Sequence, residues 1–218
     1  MRQKREVVLV HGLWHQPAHF DRLAEELRGQ GASVHVPRLH RGSLAADTSA
    51  VQETADRCLT EPVVVGHSYG GSVITGLDRV AHLVYVAAFV PAAGESGALL
   101  GGAAALVNEA VDRHEDGTTS IRPDRARELL YADCTDAESE RATGLLVRQQ
   151  PGHGRGVPDR VAWESVASTY LRCEQDRALS PDLQERMGRR CTSMVSLDSS
   201  HSPFISRPRQ LAGLILGT

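Results

Sequence analysis

Between Val7 and Phe89 the chain alternates short unbroken apolar runs with segments of helical periodicity, and few folds accept that order. Val7-Val8-Leu9-Val10 is a continuous β-branched run ending at His11-Gly12, the pattern of a strand buried on both faces. Pro17 then opens a helix with Phe20, Leu23, Ala24 and Leu27 on one side, closed by Gly29 and Gly31. Ser33 to Val36 reads as a second strand, stopped by Pro37. A helix follows from about Asp47 to Leu59, with Val51, Ala55 and Leu59 on its buried face. Val63-Val64-Val65 is a third strand, Gly70 to Val80 a helix, and His82 to Phe89 a fourth strand that Pro91 ends. Strands that alternate with helices in this way predict an α/β fold, a mostly parallel twisted sheet with helices on both faces.

The pattern changes after Ser96. Residues 97–165 contain no buried strand pattern. Ala98 to Val111 is rich in Ala and Leu and reads as a helix. Asp116-Gly117 signals a turn or short hairpin, and Arg125 to Ala132 and Ala137 to Gln150 read as further helices. Gly152, Gly154, Gly156 and Pro158 mark the return. The alternation resumes with a strand at Thr169 to Cys173, a helix after Pro181, a strand at Ser193 to Leu197 and a last helix from Pro208 to Leu216. The expected organisation is one core built from residues 1–96 and 166–218, with residues 97–165 as a helical cap or lid. A chain of 218 residues suits one such domain.

Composition narrows the function classes. The net charge is −3, and Lys4 is the sole lysine among 24 basic residues, so no basic excess points to nucleic acid or to anionic lipid. Aromatics are only 4%, so the core must come mainly from Val, Leu, Ile and Ala. Cys58, Cys134, Cys173 and Cys191 include no C-x-x-C pair and read as reduced thiols. The apolar run that follows Met1 to Glu6 is too short for a signal-peptide core or a membrane span. The expectation is a soluble, cytoplasmic protein.

Chemistry enters at Gly66-His67-Ser68-Tyr69-Gly70, which follows the third strand directly and opens a helix. This is G-x-S-x-G in strand–turn–helix context, a nucleophile elbow. The sharp turn strains Ser68, and glycines on both sides prevent clashes across it. Ser68 then stands at a helix N-terminus, where free N–H groups favour developing negative charge. A serine needs a base, and the elbow implies the order Ser, acid, His. His201 lies in the loop after the last strand and is the only His beyond His153. For the acid, Asp176 ranks first because it follows the Thr169 to Cys173 strand, where α/β sites gather. Glu174, Glu95 and Asp198 are the alternatives, and Asp198 stands so near His201 that a local turn role suits it better. The oxyanion hole would use the backbone N–H groups of Tyr69 and Leu13, with Gly12 allowing close approach. Gly12, Trp14 and Phe89 are candidate pocket residues, although Trp14 and Phe89 could equally be core. His11, His15 and His19 follow a four-residue spacing, but Pro17 interrupts any helix through them, so they read as structural rather than metal-ligating. His67 reads as packing behind the site. No G-x-G-x-x-G, P-loop lysine or metal motif is present, so neither cofactor nor metal is expected.

With these residues in place the chain resembles the α/β-hydrolase superfamily. Within it, the chain resembles the branch of plant methylesterases, salicylate-binding esterases and hydroxynitrile lyases with their bacterial relatives. The resemblance rests on Val7 to Gly12, Gly66 to Gly71, Tyr85 to Pro91, Cys173 to Pro181 and His201-Ser202-Pro203-Phe204. It implies an α/β-hydrolase fold with a helical cap, Asp176 as the acid and Leu13 as the second oxyanion donor. The lyases of the branch carry a Thr where this chain has Gly12 and a Lys where it has Ser202, which disfavours cyanohydrin cleavage and favours acyl chemistry. Three functions follow as expectations. The first is hydrolysis of an ester or thioester through an acyl-enzyme. The second is acyl transfer from a carrier thioester to an alcohol or amine by the same triad. The third is ligand binding without catalysis. The expected partner is a small-molecule acyl compound, free or carrier-protein-bound, with no nucleic acid or membrane partner.

Overall fold

The computed structural model describes residues 4–102 and 106–218. In chain order the core begins with β1 (Glu6–Val10), α1 (Asp21–Gly29), β2 (Ser33–His35), α2 (Leu44–Asp56), β3 (Val63–His67), α3 (Tyr69–Thr75) and β4 (His82–Val86). An insert follows, with α4 (Gly97–Gly101), the antiparallel pair β5 (Val111–Arg113) and β6 (Thr119–Ile121), α5 (Pro123–Leu130) and α6 (Asp136–Gly144). The core then resumes with β7 (Ser168–Cys173), α7 (Pro181–Gly188), β8 (Ser193–Leu197), α8 (Pro203–Ser206) and α9 (Pro208–Leu216).

Six strands make one sheet in the order β2-β1-β3-β4-β7-β8, every pairing parallel. The β1 and β3 runs are buried at every position, as contiguous β-branched sequence requires when both faces are covered. Their alternate residues feed two separate cores. Val7, Leu9, Val63 and Val65 pack under α1 and α9, while Val8, Val10 and Val64 pack under α2, α3 and α7. Each fully buried side chain of this size contributes roughly 1.5–3 kcal/mol. The edge strand β8 is exposed over Ser193 to Ser196, with only Leu197 buried.

Several helices are shorter than their sequence pattern. The helix expected to reach Leu59 ends at Asp56, and Leu59 is 86% exposed rather than part of the core. The one expected over Gly70 to Val80 stops at Thr75, where Gly76 caps it. Ala98 to Val111 resolves into α4 and a 3-10 turn at Leu106–Ala110, and residues 103–105 lie outside the described residues. The helix expected to reach Gln150 ends at Gly144, because the chain then peels away to pair with the loop after β1: the Val147 N–H donates to the Trp14 carbonyl at 2.8 Å.

The strand order positions the site. β1 lies between β2 and β3, so the chain reverses direction across the sheet there. That reversal opens a crevice at the carboxyl ends of the strands. The loops after β1 and β3 therefore sit side by side.

Candidate active site

Ser68 occupies the turn between β3 and α3 with φ 55 and ψ −119, a strained left-handed conformation for a residue with a Cβ. The turn is held by its neighbours. Ser68 N–H donates to the Val86 carbonyl at 3.2 Å, and the Ser68 carbonyl accepts from Gly71 and Phe89 at 3.0 and 3.1 Å. Glycine is required around it for close packing: a Cβ on Gly66 would stand 2.6 Å from the Gly70 carbonyl oxygen, and one on Gly70 would stand 2.4 Å from that of Val10.

Asp176, in the loop after β7, and His201, in the loop after β8, meet at 2.7 Å between Oδ2 and Nδ1, and both are buried. Asp176 Oδ1 accepts from the Ala178 and Leu179 N–H groups at 2.8 and 2.9 Å, and Oδ2 also accepts from Gln184 Nε2 at 3.0 Å. These donors hold the carboxylate in one rotamer, aimed at the imidazole. His201 therefore donates through Nδ1 and leaves Nε2 as the acceptor. The two loops are stitched together by the Gln175 N–H to Ser199 carbonyl bond at 3.0 Å. Ser200 Oγ donates to Asp133, tying the histidine loop to the insert. Ser68 and His201 line one cavity, and Ser68 Oγ has no hydrogen-bond partner among the described residues. Serine–histidine bonds commonly tighten only when substrate arrives.

The other acids stand elsewhere. Glu95 accepts from the Ala92 N–H at 2.8 Å and pairs with Arg190 at 2.5 Å, which holds its carboxyl below the usual range. Asp198 accepts from Gln175, and Glu174 faces Arg172 at 3.6 Å.

Leu13 and Tyr69 both line the cavity. Tyr69 is the first residue of α3, so its N–H has no partner within the helix. The Leu13 N–H makes no hydrogen bond to the described protein. Gly12 packs behind Ser68 rather than lining the cavity, and a Cβ there would meet Ser68 Cβ at 3.0 Å and His67 Nδ1 at 3.1 Å.

A cluster of buried histidines buttresses this floor. His11 accepts the Leu39 N–H at Nε2 and donates from Nδ1 to the Gly12 carbonyl at 2.9 Å. His15 Nδ1 donates to the Leu13 carbonyl at 3.0 Å, and its Nε2 lies 3.1 Å from the Tyr131 hydroxyl. His67 Nε2 donates to the His201 carbonyl at 2.9 Å. Burial keeps these rings neutral, pushing His11 down to about 3 and the other two well below the ordinary imidazole range. His11, His15 and His19 bond to protein atoms rather than converging on a metal position. The group among the described residues that brings three ligand atoms within 4.8 Å of one another is Glu6, His35 and Cys58, near the start of β1 and away from Ser68. There the His35–Glu6 contact of 2.8 Å already uses two of them.

The cavity measures about 530 Å³. Trp14, Phe89, Val107, Val111, Leu130 and Leu179 supply apolar wall. Trp14 adopts φ 60 and donates from Nε1 to Thr119 Oγ1 at 3.0 Å, so the loop after β1 is tied to the insert. Sequence reasoning missed a buried group behind this wall, bonded to the lining residues Tyr69 and His153. Asp47, fully buried in α2, accepts from the Tyr69 hydroxyl at 3.0 Å and stands 3.3 Å from His153 Nε2 in the insert. An acidic residue in the first turn of a helix reads as ordinary capping chemistry, and nothing local marks its distant partners.

A parallel sheet of this order, with Ser, Asp and His following β3, β7 and β8, is the architecture of an α/β hydrolase. The chain belongs to the alpha/beta hydrolase family, whose model matches residues 7–214. It is 27% identical to the alpha/beta hydrolase nvfD of Aspergillus novofumigatus, over 97% of this chain and 95% of that one. It is 27% identical to methylesterase 17 of Arabidopsis thaliana, over 71% of this chain and 64% of that one. Its fold superposes on the crystal structure of a pyrethroid hydrolase from Sphingobium faniae with a TM-score of 0.85 at 24% identity, covering 99% and 97% of the two chains.

Proposed function

We propose that the protein is a serine hydrolase that cleaves a carboxylic ester or thioester through an acyl-enzyme. Ser68 is the nucleophile, His201 the general base, Asp176 its orienting acid, and the Leu13 and Tyr69 N–H groups the oxyanion hole. The observation that carries the reading is the 2.7 Å Asp176–His201 pair, set on the same cavity as a serine in a strained elbow. Relatives named as a pyrethroid hydrolase, a carbendazim hydrolyzing esterase and a methylesterase support ester hydrolysis.

In this reading His201 Nε2 takes the Ser68 hydroxyl proton as Oγ bonds to the acyl carbon. The acyl oxygen gains negative charge against the two N–H donors, which are worth ~10²–10³ in rate each. The carbon–oxygen or carbon–sulfur bond breaks, and the leaving group takes the proton from His201. Water then gives a proton to His201 and attacks the acyl carbon, and the proton returns to Ser68 as the acid departs. Residues 97–165 act as a cap that shapes the acyl cavity. The substrate is a small acyl compound, and the cytoplasm suits four free thiols.

The test is a fluorophosphonate, followed by intact mass. One adduct on the wild type, absent from Ser68→Ala and His201→Ala, is expected. A folded wild type that takes no adduct defeats the reading and leaves ligand binding in its place.

A further inference from the structure

The cavity wall is not uniformly apolar. Arg113, the last residue of β5, and Arg155, at the end of the 3-10 turn His153–Arg155, both line it. They come from separate stretches of the insert, and both are exposed. Neither forms an ion pair or a side-chain hydrogen bond among the described residues. Many arginines elsewhere among the described residues pair with carboxylates, as Arg172 does with Glu185 at 2.9 Å and Arg190 with Glu95 at 2.5 Å, while others, such as Arg28 and Arg122, donate to backbone carbonyls. No aspartate or glutamate is among the residues lining the cavity. Asp112 adjoins Arg113, but successive residues of a strand point to opposite faces. The remaining titratable liners are three histidines and Tyr69; burial keeps His15 neutral and raises the Tyr69 hydroxyl so that it stays protonated.

Two arginines with unpartnered guanidinium groups therefore line a cavity that also holds Ser68, in a chain whose overall charge is −3. The field that attracts an anion is local to this mouth and not a property of the whole surface. Guanidinium presents a planar fork of donors that matches carboxylate and phosphate oxygens. The apolar wall beside Phe89, Leu130 and Leu179 suits the carbon chain between the anion and the reacting acyl group.

We infer that the substrate is an anionic acyl compound, held by Arg113 and Arg155 at one end while its acyl carbon meets Ser68. This rests on the ester-hydrolase reading above and names its substrate class. The anion is either a carboxylate carried by the ester itself or a phosphate of a thioester carrier. An exposed ion pair is worth up to about fivefold in affinity. Two acting together on a group partly shielded by the bound substrate are expected to give about tenfold.

The experiment measures binding by calorimetry on the Ser68→Ala protein, so that no substrate is consumed. Monomethyl adipate is compared with dimethyl adipate, and butyryl-coenzyme A with the butyryl thioester of N-acetylcysteamine. The same pairs are measured with Arg113→Gln and Arg155→Gln added together. In at least one pair the anionic member is expected to bind about tenfold tighter at low salt, with the ratio shrinking in high salt and collapsing in the double variant. Preference in the first pair assigns the carboxylate, and in the second the carrier phosphate. A ratio near one in both pairs, a preference that survives the double substitution, or no detectable binding of either anionic member overturns the inference. Both arginines are exposed and unpaired, so their replacement leaves the fold intact, which circular dichroism checks. Fluorophosphonate labelling of the wild type is run alongside. Its failure speaks against the serine hydrolase reading, and absence of an anion preference where the wild type does label speaks against this inference alone.

Discussion

His153 of the insert reaches across to Asp47 of α2, its Nε2 standing 3.3 Å from a carboxylate with no exposed surface. The same carboxylate accepts from the Tyr69 hydroxyl at 3.0 Å and from the Arg41 N–H at 3.0 Å. Tyr69 is also the residue whose backbone N–H is proposed to hold the oxyanion, so one buried acid links the 3-10 turn His153–Arg155 to the elbow. Burial, and then the field of this carboxylate, push the Tyr69 hydroxyl far above its ordinary range, which keeps it a hydrogen-bond donor at all working pH values.

Removing either end of this link has different costs. Tyr69→Phe deletes one hydrogen bond to a charged acceptor and is expected to lower stability by about 1.5–3 kcal/mol. Asp47→Ala leaves the Tyr69 hydroxyl, the Arg41 N–H and His153 without the carboxylate they share and is expected to cost about 3–5 kcal/mol. Urea unfolding of the two variants measures the difference. Equal losses would mean that the carboxylate serves Tyr69 alone and that His153 contributes nothing.

How much of this was legible in sequence depends on range. Val7 to Val10 and Val63 to Val65 declare their strands because a doubly covered parallel strand must be apolar throughout. Gly66 and Gly70 declare the elbow because nothing larger fits against the Gly70 and Val10 carbonyls. Sequence leaves Glu174, Glu95 and Asp198 beside Asp176 as candidate acids, and of these Asp176 is the one that stands 2.7 Å from His201, because the approach of the loops after β7 and β8 is set by the tertiary fold. Leu59 misled, since α2 runs from Leu44 to Asp56 and ends before that residue reaches the core. The Asp47–His153 contact left no local trace, because it joins segments whose approach is set by the tertiary fold. The insert was least legible, being built from short elements whose ends are fixed by bonds such as Val147 to Trp14 rather than by propensity.

The acid assignment can be decided by charge-neutral replacements. Asp176→Asn keeps the shape but gives His201 Nδ1 a different partner, and the expected loss in kcat is about 10³–10⁴-fold. Glu174→Gln and Asp198→Asn are expected to stay within about threefold of wild type, since neither touches His201. Glu95→Gln breaks the Arg190 pair and is expected to lower stability rather than kcat. Steady-state rates on any ester the wild type cleaves settle the matter, and a collapse in Glu174→Gln with a healthy Asp176→Asn would move the acid.

Gly12 lies where the loop proposed to carry an oxyanion donor packs against Ser68. A Cβ there would come within 3.0 Å of Ser68 Cβ and 3.1 Å of His67 Nδ1, tighter than side chains normally pack. The relief available is a shift of the loop that carries Leu13, because His67 is pinned by the His201 carbonyl at 2.9 Å. Displacements on the order of 1 Å cost about 10²-fold in rate. Gly12→Ala is therefore expected to slow fluorophosphonate labelling and ester turnover by about 10²-fold, with only a small change in melting temperature. Labelling at the wild-type rate would show that the loop is not the oxyanion donor.

The buried histidines make the fold acid-labile. His11, His15, His19 and His67 are all held below the ordinary imidazole value of 6.5, chiefly by burial, with His11 at about 3. A lowered folded value means that the unfolded chain binds more protons once pH drops under 6.5. Stability is therefore complete above that pH and falls as pH goes down through the window toward 3. Each ring adds a slope approaching about 1.4 kcal/mol per pH unit, so several together outweigh a typical folding free energy within a few units. Urea midpoints at pH 7.5, 6.0 and 5.0 are expected to drop steadily. His11→Gln, which can still accept from Leu39 and donate to Gly12, is expected to flatten that drop by up to one proton's worth while lowering stability at pH 7.5. Midpoints that stay level from pH 7.5 to 5.0 would mean that these rings titrate normally and that water reaches the floor of the site.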